Sequence, residues 1–130
     1  MPFLYALLAL LVFLVAFDRL APAKATRLAL RIERWRAGLR LRHSRVSGFD
    51  MPFLAGGTGE PLVLIHGFAG DKDNFTRVAR FLTPHYHVIC PDLPGFGDAG
   101  RNLQANYSMT DQVERIHVFL DQLSLPRVHL

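Results

Sequence analysis

The chain has 130 residues, half of them hydrophobic, and a net charge of +4 at neutral pH. That suits one ordinary domain and excludes both a multidomain assembly and a disordered tail. A single cysteine, Cys90, excludes an internal disulfide framework and a cysteine-built zinc cage, and it gives no sign of an oxidising compartment.

The charge is unevenly placed. Residues 1–17, MPFLYALLALLVFLVAF, carry no charged side chain, whereas residues 18–50 hold nine Lys/Arg against Asp18, Glu33 and Asp50. The remaining 80 residues hold six Lys/Arg against eight Asp/Glu. The globular part is therefore slightly acidic, which argues against a nucleic-acid groove despite the positive total.

Seventeen helical residues span about 25 Å against a hydrocarbon core of about 30 Å. Residues 1–21 accordingly read as a transmembrane or signal-anchor helix. Ala21-Pro22-Ala23 resembles a small-x-small cleavage site, so a removed signal peptide is the rival. Against it, no Lys or Arg precedes the apolar run, and Asp18 and Arg19 interrupt its approach to that site. Basic residues on the carboxyl side of the anchor put the main body in the cytoplasm by the positive-inside rule. Across residues 22–38, Leu28, Ile32 and Trp35, with Leu39 beyond, recur at helical spacing, while Arg27, Arg31 and Arg34 form a separate row and Gly38 ends the helix. Such a basic amphipathic helix suits membrane lipids, with Trp35 at the interface; equally, it suits a linker packed on its own domain.

Residues 39–130 form the domain proper. Leu39–Val46 and Phe49–Leu54 read as two strands joined by a turn at Ser47-Gly48, followed by the cluster Gly56-Gly57-Thr58-Gly59. Pro61–Ile65 is an apolar run of the kind buried on both faces of a parallel sheet. Asp73 or Asn74 is a candidate cap for a helix over about 74–83, in which Phe75, Val78, Ala79 and Leu82 share a face and which Pro84 stops. His87–Cys90 is another short strand, and Pro91–Tyr107 a long loop. Ser108 or Thr110 caps a helix over about 109–123 with the stripe Val113, Ile116, Leu120 and Leu123. Beyond Pro126, Arg127–Leu130 looks like a strand just beginning. The alternation predicts an α/β fold with a mostly parallel sheet and flanking helices.

Two loops carry the chemistry. One follows the apolar strand as His66-Gly67-Phe68 and runs through AGDKD; the other, some 24 residues on, is Pro91-Asp92-Leu93-Pro94-Gly95-Phe96-Gly97-Asp98. Together they resemble the α/β-hydrolase family, closest to its esterases and lipases. The anchor and the helix VERIHVFLDQLSL look like the membrane-anchored monoacylglycerol-lipase-like branch. The resemblance covers residues 39–130 and implies the amino-terminal half of that fold. It further implies that the backbone N–H of Phe68 is one oxyanion-hole donor, the second coming from the residue after the nucleophile. Gly67 would serve a sharp backbone turn and leave room for an acyl group. His66 stands too early in the chain for the catalytic base, since the order in this fold is nucleophile, acid, histidine; a structural hydrogen bond is its expected role. Asp92 and Asp98 are expected to anchor their loop through backbone N–H groups, with Gly95 and Gly97 shaping it. Where relatives often carry serine after Gly-x-Gly-Asp, this chain has Ala99.

Gly95-Phe96-Gly97-Asp98-Ala99-Gly100 also matches the dinucleotide-binding pattern, but Pro94 precedes it directly and the predicted helix starts some eight residues after Gly100, so no nucleotide cofactor is expected. His43, His85, His87, His117 and His129 have no metal-ligand spacing, and no metal is expected. The sequence contains no G-x-S-x-G, which in this family carries the nucleophile. The expectation is a domain cut before that elbow and inactive by itself. When complete, it would cleave lipid esters such as monoacylglycerols through a serine acyl-enzyme. Relatives with an aspartate nucleophile, such as epoxide hydrolases and dehalogenases, share these loops, and a non-catalytic membrane-bound module is the alternative outside enzymes.

Overall fold

The computed structural model describes residues 2–130. The chain divides into two compact units, one ending at Ile32 and the other spanning Glu33–Leu130. In the first, helix α1 (Pro2–Leu20) is apolar up to Asp18 and has no buried residue, and it is long and apolar enough to cross a membrane. Helix α2 (Pro22–Arg36) follows after Ala21. The break falls at Pro22, which has no N–H to continue the α1 ladder, and Pro is well suited to open the next helix. α2 ends as expected: Gly38, at φ 67°, takes the left-handed conformation that closes helices cheaply only in glycine.

The second unit is a mixed sheet with helices on both faces. Strands β1 (Leu39–Val46), β2 (Phe49–Gly56), β3 (Glu60–Val63) and β4 (Tyr86–Pro91) lie in the order β1-β2-β4-β3. β1 pairs antiparallel with β2, and β2 antiparallel with β4, in register Leu54 opposite Cys90. Only β3 and β4 are parallel. The sheet of this segment is thus less parallel than the strand and helix alternation suggests, because the first two strands are joined by a hairpin and not by a crossover helix. Beyond β3, Val63 N–H donates to His129 O and His129 N–H to Pro61 O, both at 2.9 Å. The RVHL segment therefore begins to pair in parallel with β3.

Side-chain alternation explains the apolar runs. Met51, Phe53 and Ala55 of β2 join Val63 and Ile89 on one face, against Ile116 and Phe119 of helix α4 (Met109–Gln122). Leu54 of β2 and Val88 and Cys90 of β4 point to the other face, with Ala37 and Leu39, against Ala79 of helix α3 (Thr76–Leu82). Both faces are covered, so β2 and β4 are apolar at odd and even positions alike. α4 is capped by Ser108, which accepts from Asp111 N–H and donates to the Asp111 carboxylate. α3 is entered through a 3-10 turn, Lys72–Phe75. Asp71 caps that turn, accepting from Asp73 N–H at 2.8 Å, and α3 itself opens at Phe75 with no side-chain cap, so neither Asp73 nor Asn74 caps it.

Phe119 is fully buried and meets the Phe53 ring edge-on at 5.1 Å. Truncation to Ala is expected to destabilise the intact protein by about 3–5 kcal/mol, read as a lower urea midpoint at unchanged m-value. Burial, reinforced by the charge of Asp73, pushes the Cys90 thiol up to about 12. Native protein at pH 8 is therefore expected to leave Cys90 unreacted with a thiol reagent, with modification only on unfolding.

Candidate active site

Because β3 and β4 are parallel, the loops that follow them leave the sheet at the same end, where α/β folds gather ligands. The loop after β3 holds His66, Gly67 and Phe68; the loop after β4 holds Asp92, Gly95, Gly97 and Asp98. Each is short of regular structure, so side-chain bonds fix their separation.

Asp92 supplies most of them. It has no exposed surface, and its carboxylate accepts from three donors: Lys72 N–H at 2.6 Å, Lys72 Nζ at 2.8 Å and Asp98 N–H at 2.9 Å. Two are backbone donors, one from each loop. Lys72 Nζ also donates to Asp98 at 2.7 Å and lies 3.9 Å from Asp73. Asp73 in turn takes a two-pronged contact from Arg34 at 2.6 and 2.7 Å. The lysine is itself buried. Desolvation opposes its charge, but the hydrogen bonds to Asp92 and Asp98 outweigh that, and its pKa is raised above the ordinary 10.5.

A second tie runs through His66. Leu93 N–H donates to His66 Nε2 at 3.1 Å, so Nε2 must accept; Nδ1 then carries the proton and donates to Gly67 O at 2.9 Å. Both ring nitrogens are engaged, and the ring meets Phe96 edge-on at 5.6 Å. The imidazole joins the two loops and has no nitrogen left over for proton transfer.

The glycines divide. A Cβ at Gly97 would stand 2.5 Å from the Asp92 carboxylate, and one at Gly95 would stand 2.9 Å from the Tyr107 ring; both residues have positive φ. Gly67 differs from expectation. Its φ is not in the left-handed range and a Cβ there would meet no atom within 4 Å, so no sharp turn requires glycine. The left-handed residue of this loop is Ala69, at φ 59°. The Gly95–Gly100 segment closes on itself through Gly95 N–H to Gly100 O, at 3.2 Å, and leads into no helix, unlike a dinucleotide turn.

The two loops line a cleft of about 860 Å³ through Ile65, His66, Gly67, Phe68, Leu93 and Phe96, and Leu103, Tyr107, Met109 and Gln112 line it as well. The lining is largely apolar, as suits a greasy ligand. The Phe68 side chain is 94% exposed and touches the Phe96 ring edge-on at 6.0 Å. Asp92, Gly97 and Asp98 do not line the cleft. Sequence reasoning missed Lys72 and Gln112. The signal for Lys72 is faint, a lone cation between Asp71 and Asp73. Gln112 is legible only as a polar residue on an amphipathic helix; it is buried, and its Nε2 donates to Pro94 O at 2.9 Å.

Lys72→Met leaves a buried carboxylate without its counter-ion and is expected to cost about 3–5 kcal/mol in urea unfolding. Since the folded pKa of Lys72 is raised, its contribution is fully present below about pH 10.5 and is lost as pH rises through the folded value. The stability gap between the parent and Lys72→Met should therefore stay constant from pH 7 to 10 and narrow above that range.

A family model for the alpha/beta hydrolase fold matches residues 60–130. Lipase 1 of Psychrobacter immobilis is 42% identical over 103 residues, covering 77% of this chain and 32% of the lipase. Monoacylglycerol lipase abhd6-B of Xenopus laevis is 32% identical over 122 residues, covering 92% of this chain and 36% of that protein. The crystal structure of a membrane phospholipase A, described as a bacterial virulence factor, superimposes with a TM-score of 0.82 at 39% identity, over 99% of this chain and 42% of the other. The chain thus spans about a third of the length of the two curated relatives. Paired loops at the end of a parallel strand pair, joined to this match over more than half its length, make the chain a member of the α/β-hydrolase family.

Proposed function

We propose that the chain is the oxyanion-loop part of a membrane-anchored hydrolase that cleaves carboxylic esters of lipids, monoacylglycerols among them. The observation that carries this reading is the largely apolar cleft lined by residues of both family loops, Phe68 among them. The lipase and monoacylglycerol lipase relatives support the substrate class, and the membrane phospholipase neighbour supports a protein held at a bilayer.

In the proposed reaction, a serine hydroxyl supplied by sequence outside these 130 residues attacks the ester carbonyl while a histidine takes its proton. The carbonyl π electrons move to oxygen, and the Phe68 N–H and the N–H after the nucleophile stabilise that oxyanion. The tetrahedral species collapses, the C–O bond to the alcohol breaks, and the proton passes to the leaving oxygen. Water then repeats the sequence on the acyl-enzyme. Gly67 leaves open space where the acyl group passes. His66, Asp92, Gly95, Gly97 and Asp98 hold the loops in place for that N–H. α1 is the anchor, and the basic residues that follow it in the chain set the catalytic body on the cytoplasmic side.

The intact protein, carrying the sequence that follows Leu130, should react with a fluorophosphonate probe at a serine within G-x-S-x-G. Labelling at Ser44, Ser47, Ser108 or Ser124 would sink the proposal, and an aspartate at the elbow would transfer it to the epoxide hydrolase and dehalogenase chemistry. Phe68→Pro removes the donor and should lower kcat on a monoacylglycerol by about 10²–10³. Phe68→Ala keeps the N–H and should leave kcat within about tenfold, as only a side chain changes.

A further inference from the structure

Residues 51–130 carry six cations, of which Lys72 and Arg115 are buried. Of the four that remain, Arg77 and Arg80 lie together on the seven-residue helix α3, and both line a recess of about 190 Å³ with Arg36, Glu33 and Thr76. Three guanidinium groups thus face one carboxylate. Glu33 is already committed, 3.5 Å from Arg77 Nε and accepting the Thr76 hydroxyl at 3.0 Å. The recess is left with an excess of two positive charges in a domain that is otherwise slightly acidic.

Apolar groups are exposed on the same short elements. Phe81 is 62% exposed with the Arg80 guanidinium 4.5 Å over its ring, Val78, three residues before it on α3, is exposed, and Trp35, next to Arg36, is 79% exposed. Nothing in folding explains this: the buried residues of α3 are Thr76 and Ala79, on its other side. Exposed aromatics beside unneutralised arginines are the chemistry of a surface that meets both headgroups and the upper acyl region. Arginine's fork also matches phosphate oxygens two at a time.

We propose that the Arg36–Arg77–Arg80 recess is a binding site for the phosphate of an anionic phospholipid, and that Val78 and Phe81 seat α3 on the bilayer surface. This goes beyond the anchored-hydrolase reading and rests on it only for the presence of a bilayer beside the domain. The recess shares no lining residue with the ester cleft.

The test uses intact protein with a spin label at Val78→Cys, in a background without other exposed cysteines, reconstituted in vesicles of phosphatidylcholine alone or with phosphatidylglycerol. The expected result is that phosphatidylglycerol shields the label several-fold from a water-soluble relaxant and exposes it to oxygen. Arg77→Gln with Arg80→Gln should abolish this; both side chains are exposed, so folding is spared. Equal accessibility in the two bilayers overturns the proposal. Relief of the shielding by free inorganic phosphate at constant ionic strength also overturns it, because the recess would then be a soluble-anion site. If α1 is removed in the mature protein, the anchor reading fails separately and co-flotation with the same vesicles decides the recess. Phosphatidylglycerol-dependent flotation, weakened on the order of 30-fold by the double substitution, supports it, and its absence overturns it.

Discussion

The arrangement of the cleft depends on one buried ion pair. A carboxylate with no access to water is tolerable only when its oxygens are saturated and its charge is met, and Asp92 meets both conditions through Lys72 and two backbone N–H groups. One of those groups belongs to the loop after β3 and the other to the loop after β4. Neither loop can shift without exposing the other's unpaired polar atoms. The position of the Phe68 backbone is therefore set by electrostatics in the protein interior, while the cleft stays open. The same pair dictates Gly97, since the carboxylate occupies the space where any Cβ would go.

The sheet supplies the other half of the arrangement. Its first strands form an antiparallel hairpin, and parallel pairing starts only with β3 and β4. That pairing matters for the site because parallel neighbours send their following loops out at one end, whereas an antiparallel pair sends them to opposite ends. β4 lies between β2 and β3, so it is central and apolar on both sides. The rigidity of the Asp92 anchor at its end follows from that burial.

Much of this was legible in the sequence, for physical reasons that can be named. β4 and α4 have strong periodic or fully apolar patterns, and Ser108 stands where a helix cap should. Asp92 and His66 are polar residues beyond the ends of apolar strands, so a structural bond was the natural expectation for each; the bonds link the two loops. Lys72 was illegible because its partner is 20 positions away, and only the adjacency of β3 and β4 brings the two together. Neither Asp73 nor Asn74 caps α3, because Asp73 is drawn off to Arg34 and a 3-10 turn, capped by Asp71, intervenes before the helix opens at Phe75. Gly67 misled for a related reason: glycine suggests a turn, but the turn was taken by Ala69, and a φ value cannot be read from a residue name. The antiparallel pairing of β2 with β4 skips a strand in the chain, and local pattern carries no information on such neighbours.

The bonds between β3 and His129 have a consequence for how the chain is made. Pro61 and Val63 obtain their outer hydrogen-bond partner only from a residue about 66 positions later. At a synthesis rate of about 5–20 residues per second, the outer edge of β3 stays unpaired for roughly 3–13 s after it is translated. During that interval the segment PLVLI is an apolar strand with a free edge, the kind of surface that chaperones bind and that neighbouring nascent chains can pair with. Translation speed across residues 64–129 is thus a physical variable in the yield of folded protein, quite apart from the stability of the finished sheet.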